Sequence, residues 1–276
     1  MNVLSLFDGM SCGQIALDKL GIPVKHYFAA EIDKYAIQVA KSNYPDMVHL
    51  GDVKQIQTVR GWKPEDPYCM LDEFNFGHKI DLLIGGSPCQ GFSFAGKQLN
   101  FDDPRSQLFF EYVRLLKKLK PKYFLMENVK MKKESMDIIT EYLGVEPVEI
   151  NSNLVSAQNR KRLYWTNIPT DGLPEDKGIM LKDILEPVEQ IDDVYYYRDK
   201  SKCVRSGGRL SYDRHEWDSV DTHHIRKLTV TECERLQTVP DGYTCGVSNT
   251  QRYKMLGNGW TVDVVKHIFE GLKETA

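Results

Sequence analysis

Cys89 closes the run Leu82-Leu83-Ile84-Gly85-Gly86-Ser87-Pro88, in which an apolar strand stops abruptly and leaves a thiol on a turn. Most free cysteines are small buried hydrophobes. Gly85-Gly86 and Pro88 favour a reactive one, because they fix a tight, exposed backbone at the carboxyl end of a strand, where open α/β sheets bind ligands. The chemistry open to such a residue is nucleophilic attack by its thiolate. Gly91-Phe92-Ser93-Phe94-Ala95-Gly96-Lys97 follows, and its glycines and closing lysine suit a loop that folds over something anionic. A later apolar run, Tyr123-Phe124-Leu125-Met126, delivers Glu127-Asn128 to the same edge. A solvated strand end is the ordinary reading of Glu127, but an acid and a nucleophile on neighbouring strand tips is the usual geometry of a site. Arg160 and Arg162 alternate along an extended segment and share one face, with Lys161 pointing away. Paired guanidinium groups suit a phosphate or a carboxylate, although in isolation a solvated edge strand would be the commoner explanation.

The elements that must position these groups form a Rossmann-like α/β pattern. Val3-Leu4-Ser5-Leu6-Phe7 is a strand, Asp8-Gly9-Met10-Ser11 a turn, and Ile15, Ala16, Leu17 and Leu20 the sheet-facing stripe of a helix. Tyr27–Ala30 is a second strand ending in Glu31, about twenty residues after the first turn, the separation at which an acid meets a ribose in such units. A third, Met47–Leu50, ends in Gly51-Asp52. Together these tips outline a nucleoside pocket. There is no Gly-x-Gly-x-x-Gly, and Ser11-Cys12 stand where a dinucleotide fingerprint needs glycine, so an adenosine without phosphates suits the pocket better. Residues 54–79 read as a surface connection into a strand at Ile80–Ile84. Asp103-Pro104 caps a helix with Leu108, Tyr112, Leu115, Leu116 and Leu119 as its stripe. A helix over Lys133–Leu143 and a strand near Val145–Ile150 complete the large unit. Thr229-Val230-Thr231-Glu232 has capping-box spacing and opens a helix to Leu236. Ser248–Gln251 repeats that device, Gly257-Asn258-Gly259-Trp260 predicts a sharp turn, and a last amphipathic helix spans Val262–Leu272. Residues 1–168, completed by 251–276, are expected to form the catalytic domain, and 169–250 a small, irregular domain.

Composition narrows the function classes. The start of the chain lacks a basic leader and its apolar run is broken by Asp8, unlike a signal peptide, and no apolar run approaches a bilayer span. The six cysteines show no paired close spacing, so reduced thiols in a cytoplasm and no structural metal are expected. A net charge of −3 argues weakly against nucleic acid, but its footprint is local. Residues 196–227 hold eight Lys/Arg against five acids, with aromatics and glycines interleaved, and suit such a partner.

Taken together, six stretches give the chain a family resemblance along nearly its whole length. Phe7-Asp8-Gly9-Met10-Ser11-Cys12-Gly13, Gly85-Gly86-Ser87-Pro88-Cys89-Gln90, Met126-Glu127-Asn128-Val129, Gln158-Asn159-Arg160-Lys161-Arg162, Arg226-Lys227-Leu228-Thr229 with Glu232 and Leu236-Gln237, and Gly257-Asn258-Gly259-Trp260 resemble, in order and spacing, the motifs of cytosine-5 DNA methyltransferases. One Pro-Cys is weak evidence, whereas six ordered motifs are very specific. The resemblance implies an S-adenosylmethionine-dependent methyltransferase sheet with helices on both faces and a small target-recognition domain. It implies S-adenosylmethionine at the strand tips: Phe7 against the adenine, Glu31 on the ribose, Ile32 beside the ring and Asp52 near the exocyclic amine. Asp8, Gly9, Gly13, Val53, Pro88, Leu108, Asn258 and Trp260 complete that pocket. It implies Cys89 as nucleophile toward carbon 6 of a flipped cytosine, Glu127 on ring nitrogen 3, and Arg160 and Arg162 on the cytosine oxygen and nearby groups. Double-stranded DNA is the implied partner, met by Gln90, Ser93, Lys97, Arg198, Arg205 and Arg209, with Arg209 a candidate for reading guanine. No metal and no membrane are implied, and a cognate restriction endonuclease would be a separate partner.

The first motif departs from the common bacterial glycine-rich version: Asp8 and Ser11-Cys12 resemble the eukaryotic de novo branch, while Gln90 is the bacterial choice. The segment between Arg162 and Arg226 is short, as in a small bacterial or phage-type member with a short target site. The RNA-acting branch, which methylates tRNA cytosine, carries a Cys-Phe-Thr segment that this chain lacks. A catalytically inactive DNA-binding paralogue would not need Cys89, Glu127 and both arginines, and a nicotinamide dehydrogenase leaves Pro88-Cys89 unexplained.

Overall fold

The computed structural model describes residues 1–56, 79–87, 107–187, 199–205, 219–220 and 226–275. Strand alternation decides how they pack. In β1 (Asn2–Leu6), β2 (His26–Ala30), β4 (Leu82–Gly85) and β5 (Tyr123–Val129), successive residues are apolar with few interruptions, as strands buried on both faces require. Val3, Tyr27, Ala29, Leu82, Ile84 and Leu125 face one layer, and Leu4, Leu6, Phe28, Leu83, Phe124 and Met126 face the other. The first layer is filled by α1 (Cys12–Leu20), α2 (Lys34–Asn43) and α7 (Val262–Phe269), the second by α3 (Gln107–Leu119) and α4 (Lys133–Leu143). This is the expected α/β sandwich with helices on both faces.

With β3 (Val48–His49), β6 (Val148–Asn151) and β7 (Lys161–Thr166), the described residues form a seven-stranded sheet in the order β3-β2-β1-β4-β5-β7-β6. β1 to β5 are parallel, and β7 runs antiparallel to both β5 and β6. The strand order reverses between β1 and β4, which opens a crevice beyond their carboxyl ends. Antiparallel β7 matters for the chemistry, because it brings its amino end, with Arg160 just before it and Arg162 within it, to the edge where β5 ends.

The carboxyl-terminal third joins the same core. α5 (Val230–Leu236) opens with the expected capping box, in which the Thr229 hydroxyl accepts from the Glu232 N–H and Glu232 accepts from the Thr229 N–H. Leu228, Val230, Cys233, Leu236, Val239 and Tyr243 pack into the layer shared with α1 and α7, and Tyr243 donates to the Met10 carbonyl at 2.7 Å. The apolar side chains of residues 228–247 thus share the layer of α1 and α7. Two local expectations are corrected. α6 (Asn249–Asn258) takes in Gly257 and Asn258, and the expected sharp turn is confined to Gly259-Trp260, because packing of Met255 and Leu256 holds the helix to its end. Ser248 caps α6 without a side-chain hydrogen bond, so the second capping device is not formed.

Candidate active site

The strand tips surround one cavity of about 560 Å³. Phe7, Asp8 and Gly9 after β1, Glu31 and Ile32 after β2, Asp52 and Val53 after β3, Leu108 of α3, and Asn258 and Trp260 near the end of α6 all line it. Glu127, Arg160 and Arg162 line it as well, so the residues expected to meet a cofactor and three of those expected to meet a base share one space. Gly13 does not line it. It sits in α1 against the sheet, where an added Cβ would lie 2.3 Å from Ile84 Cδ1, so its part is close helix–strand packing. Pro88, Cys89, Gln90, Ser93, Lys97, Arg198 and Arg209 fall outside the described residues, as does the cap at Asp103-Pro104. Arg205 is described and is exposed.

At the first tip the backbone is strained: Phe7 and Ser11 adopt φ of 56° and 65°, a region that costs a non-glycine residue of the order of 1 kcal/mol or more. The turn is held by Asp8, whose carboxylate accepts from the Tyr27 hydroxyl at 2.8 Å and from the Ser11 hydroxyl. At the second tip the Glu31 carboxylate accepts from the N–H groups of Gly9, Ile32 and Asp33, each at 2.8 Å. Three backbone donors aim this carboxylate, and it keeps lone pairs for further hydrogen bonds. Ile32 beside it is 75% exposed, an apolar surface open at the rim of the cavity.

Burial raises the Asp8 pKa from 3.8 to about 6, against the hydrogen bonds from Ser11, Ser5 and Tyr27. The folded chain thus holds this proton more tightly than the unfolded one. Below about pH 4 both forms are protonated and no penalty applies; between about pH 4 and 6 only the unfolded carboxyl ionises, so stability falls by up to about 3 kcal/mol, and above about pH 6 the loss is complete. Asp8→Asn is expected to gain thermal stability relative to the wild type between pH 4 and 7, measured by unfolding midpoints at each pH. A difference independent of pH would show that Asp8 is not held in this way.

Glu127 is the centre of the other half. Its Oε1 pairs with Arg162 Nε at 3.1 Å and its Oε2 accepts from Trp260 Nε1 at 3.0 Å. Both side chains of the ion pair are nearly closed to solvent, at 11% and 16% exposure. The register explains the meeting: Glu127 pairs with Tyr164 across β5 and β7, so Arg162, two residues away, lies diagonally on the same face. Burial works against the Arg162 charge, and Glu127 and Cys203 outweigh it to keep that charge firmly in place. Arg160 behaves differently. One terminal nitrogen donates to the Val204 carbonyl and to Cys203 Sγ, the other to the carbonyls of Gly257 and Gly259. Of the two arginines, Arg162 thus meets a carboxylate, as such a pair suits, and that carboxylate is the chain's own, while Arg160 ties β7 to the end of α6.

Sequence reasoning missed several contributors. Asn128 donates to the Ser87 hydroxyl at 3.2 Å, so β5 pins the residue from which the chain leads into Pro88-Cys89. Asp33, Gln251 and Lys254 also line the cavity, and Lys254 bridges to Asp33 at 2.6 Å, joining α6 to the start of α2. The Trp260–Glu127 hydrogen bond joins the two halves of the site, and no spacing signals it because it spans 133 residues. Among the described residues no group of three or more His, Cys, Asp or Glu is arranged to hold a metal ion, and no helix is long and apolar enough to cross a membrane.

The family model for C-5 cytosine-specific DNA methylase matches residues 1–171 and 132–274. Type II methyltransferase M1.ScrFI of Lactococcus lactis subsp. cremoris is 32% identical over 301 residues, covering 91% of this chain and 72% of that protein. Type II methyltransferase M.NlaX of Neisseria lactamica is 28% identical over 315 residues, covering 98% and 96%. Among solved structures, a DNA modification methyltransferase encoded within a prophage in E. coli superposes with a TM-score of 0.68 over 99% of both chains at 19% identity, a likeness of fold. A cofactor-sized crevice at the strand reversal, a buried acid–arginine pair beside it and a sequence match running almost end to end agree: the chain belongs to the family of C-5 cytosine-specific DNA methylases.

Proposed function

We propose that this chain transfers a methyl group from S-adenosylmethionine to carbon 5 of a cytosine turned out of duplex DNA. The observation that carries the reading is Glu127, aimed into the cavity by Arg162 and Trp260 and one strand away from Ser87, which leads into Pro88-Cys89.

The cofactor half fits its proposed ligand. The fixed Glu31 carboxylate can accept from ribose hydroxyls, the bare Ile32 side chain and Phe7 can take the two faces of a purine, and Asp52 can accept from its amine. Bound there, S-adenosylmethionine supplies a methyl group made electrophilic by its sulfonium.

The chain's own residues solve the other problem, that cytosine carbon 5 is a poor nucleophile. The Cys89 thiolate adds to carbon 6, and the ring electrons moved by that addition give carbon 5 enamine character. Glu127 hydrogen-bonds or protonates nitrogen 3, neutralising charge where it develops. After carbon 5 has taken the methyl group, a base removes its proton, and the electron pair released re-forms the ring double bond as the carbon–sulfur bond breaks. Arg162 is proposed to meet the cytosine oxygen while holding Glu127, and Arg160, its donors occupied by carbonyls, to keep the walls of the site together.

A stacked base cannot reach this cavity, so the target must be flipped. Residues 91–97 are proposed to close behind it. The basic stretch from Arg198 through Arg205 to Arg209, with Gln90, Ser93 and Lys97, is proposed to meet the DNA, and Arg209 to read the site. The recognition unit is proposed to lie within residues 169–250. The enzyme is proposed to work on DNA in the cytoplasm.

Purified protein with methyl-labelled S-adenosylmethionine and, in parallel, duplex DNA and tRNA tests the reading. Label in 5-methylcytosine of DNA is expected. Label in tRNA alone would overturn the substrate, and label in neither would overturn the enzyme. Trp260→Phe keeps an aromatic side chain but removes the N–H that Glu127 accepts, so turnover should fall about tenfold, the value of a hydrogen bond to a charged group, while the KM for S-adenosylmethionine changes little. Weaker cofactor use with unchanged turnover would make Trp260 a pocket wall only.

A further inference from the structure

Cys203 lies behind the two arginines and was not singled out by any motif. Its Sγ is 3.1 Å from Arg160 Nη1 and 3.9 Å from Arg162 Nη2. Its place is well defined: the next residue, Val204, donates its N–H to Gln158 and accepts from Arg160 through its carbonyl. Four side chains thus stand in a row, Glu127, Arg162, Cys203 and Arg160, with alternating potential for charge. With a neutral thiol the row carries one excess positive charge, and with a thiolate it is balanced.

We propose that Cys203 is a positioning residue, a thiolate counter-ion that holds Arg162 from the side opposite Glu127 and so fixes the pair that receives the target base. The proposal rests on the functional reading above for the role of that pair. Arg162 is otherwise tethered by one carboxylate at its Nε and by the Lys161 carbonyl at Nη1. Sγ supplies the contact at Nη2, so all three nitrogens are directed. Arg160 shares the same sulfur, which links the carbonyl clamp on Gly257 and Gly259 to the ion pair. A protonated Cys203 would instead have the Val204 carbonyl as its acceptor, at 3.4 Å, and would leave Arg162 held on one side.

Among the described residues, the charged groups acting on Cys203 are Arg160, just before β7, and Arg162 of β7; Glu127 of β5 and Tyr164 of β7 face the same arginines, and Cys12 of α1 lies on the far side of Arg160. Burial alone would push the Cys203 thiol up; the two guanidinium groups outweigh it and hold its pKa below that of an ordinary cysteine. Cys12 is the contrast, a thiol that burial pushes up to about 12 despite Arg160.

Two measurements test the assignment. Alkylation of the wild-type protein by iodoacetamide across pH, resolved by peptide mass spectrometry, should show Cys203 reacting as a thiolate at a lower pH than Cys245, whose thiol is exposed. Methyl transfer by the wild type should rise with pH through the same midpoint. Cys203→Ser should lose that limb and about tenfold in turnover, as expected for a misplaced partner, with KM for S-adenosylmethionine unchanged, and Cys203→Asp, which restores a negative charge, should recover turnover below the midpoint. An ordinary alkylation midpoint at Cys203, or a Cys203→Ser profile matching the wild type, would overturn the proposal. A wild type inactive on DNA would overturn the functional reading instead, and the alkylation profile would still decide the charge state of Cys203.

Discussion

Cys89→Ala is expected to reduce methyl transfer below detection while S-adenosylmethionine still binds. The size of the effect follows from the chemistry. Without addition at carbon 6 there is no enamine, and carbon 5 of a neutral cytosine has too little nucleophilic character to displace a sulfonium; Glu127 cannot substitute, since in its proposed role on nitrogen 3 it supplies no electrons to the ring. Cofactor binding should survive because Phe7, Glu31, Ile32 and Asp52, which follow β1, β2 and β3, line the cavity independently of residue 89. The discriminating measurement uses duplex DNA carrying 5-fluorocytosine in place of cytosine. Fluorine at carbon 5 cannot leave as the proton does, so the wild type should accumulate a DNA adduct stable to denaturation after methyl transfer, and Cys89→Ala should form none. Normal turnover by the variant would sink covalent catalysis at this position, and an adduct in the variant would transfer the nucleophile to another cysteine.

How far the site could be read from sequence depended on how local its causes are. Strand tips ending in Asp8-Gly9, Glu31, Asp52 and Glu127 were legible because apolar runs and turn residues are contiguous, and those residues do share one cavity. The Thr229–Glu232 capping box was legible for the same reason. Arg160 and Arg162 were placed on one face correctly, yet their partners were not, since the partners come from β5, the end of α6 and residues 203–204 and depend on β7 running antiparallel. Gly13 carried a motif position but serves packing against Ile84, a distinction set by the tertiary approach of α1 to the sheet. The Gly257–Trp260 stretch looked like a turn by composition, and the turn is made at Gly259-Trp260, while Gly257 and Asn258 stay in the helix that the core contacts of Met255 and Leu256 hold. Cys203 had no local signature, because what distinguishes it is the pair of guanidinium groups that folding brings from about forty residues away.

Gly86→Ala is expected to cost about a hundredfold in turnover with a modest loss of stability. The backbone at residue 86 is open to alanine, since its φ lies outside the left-handed region, so the cost comes from what the added methyl meets. That Cβ would lie 2.7 Å from Glu127 Oε2 and 3.1 Å from Trp260 Nε1. A carboxylate on a flexible stem could usually swing aside, but this one is held by Arg162 at one oxygen and by Trp260 at the other. Relief therefore requires either breaking one of those bonds or moving the end of β4, which leads into Cys89. Overpacking of this kind costs about 1–3 kcal/mol of stability, whereas a displacement of about 1 Å at a reacting group is worth about a hundredfold in rate, so catalysis should suffer more than folding. The two routes separate in a double-mutant cycle. Glu127→Ala removes the carboxylate that the methyl would strike, so if Gly86 acts through Glu127, adding Gly86→Ala to that variant should change turnover little. Losses that add independently would place the effect in the turn before Cys89, and the remaining role of Gly86 would then be to aim the nucleophile.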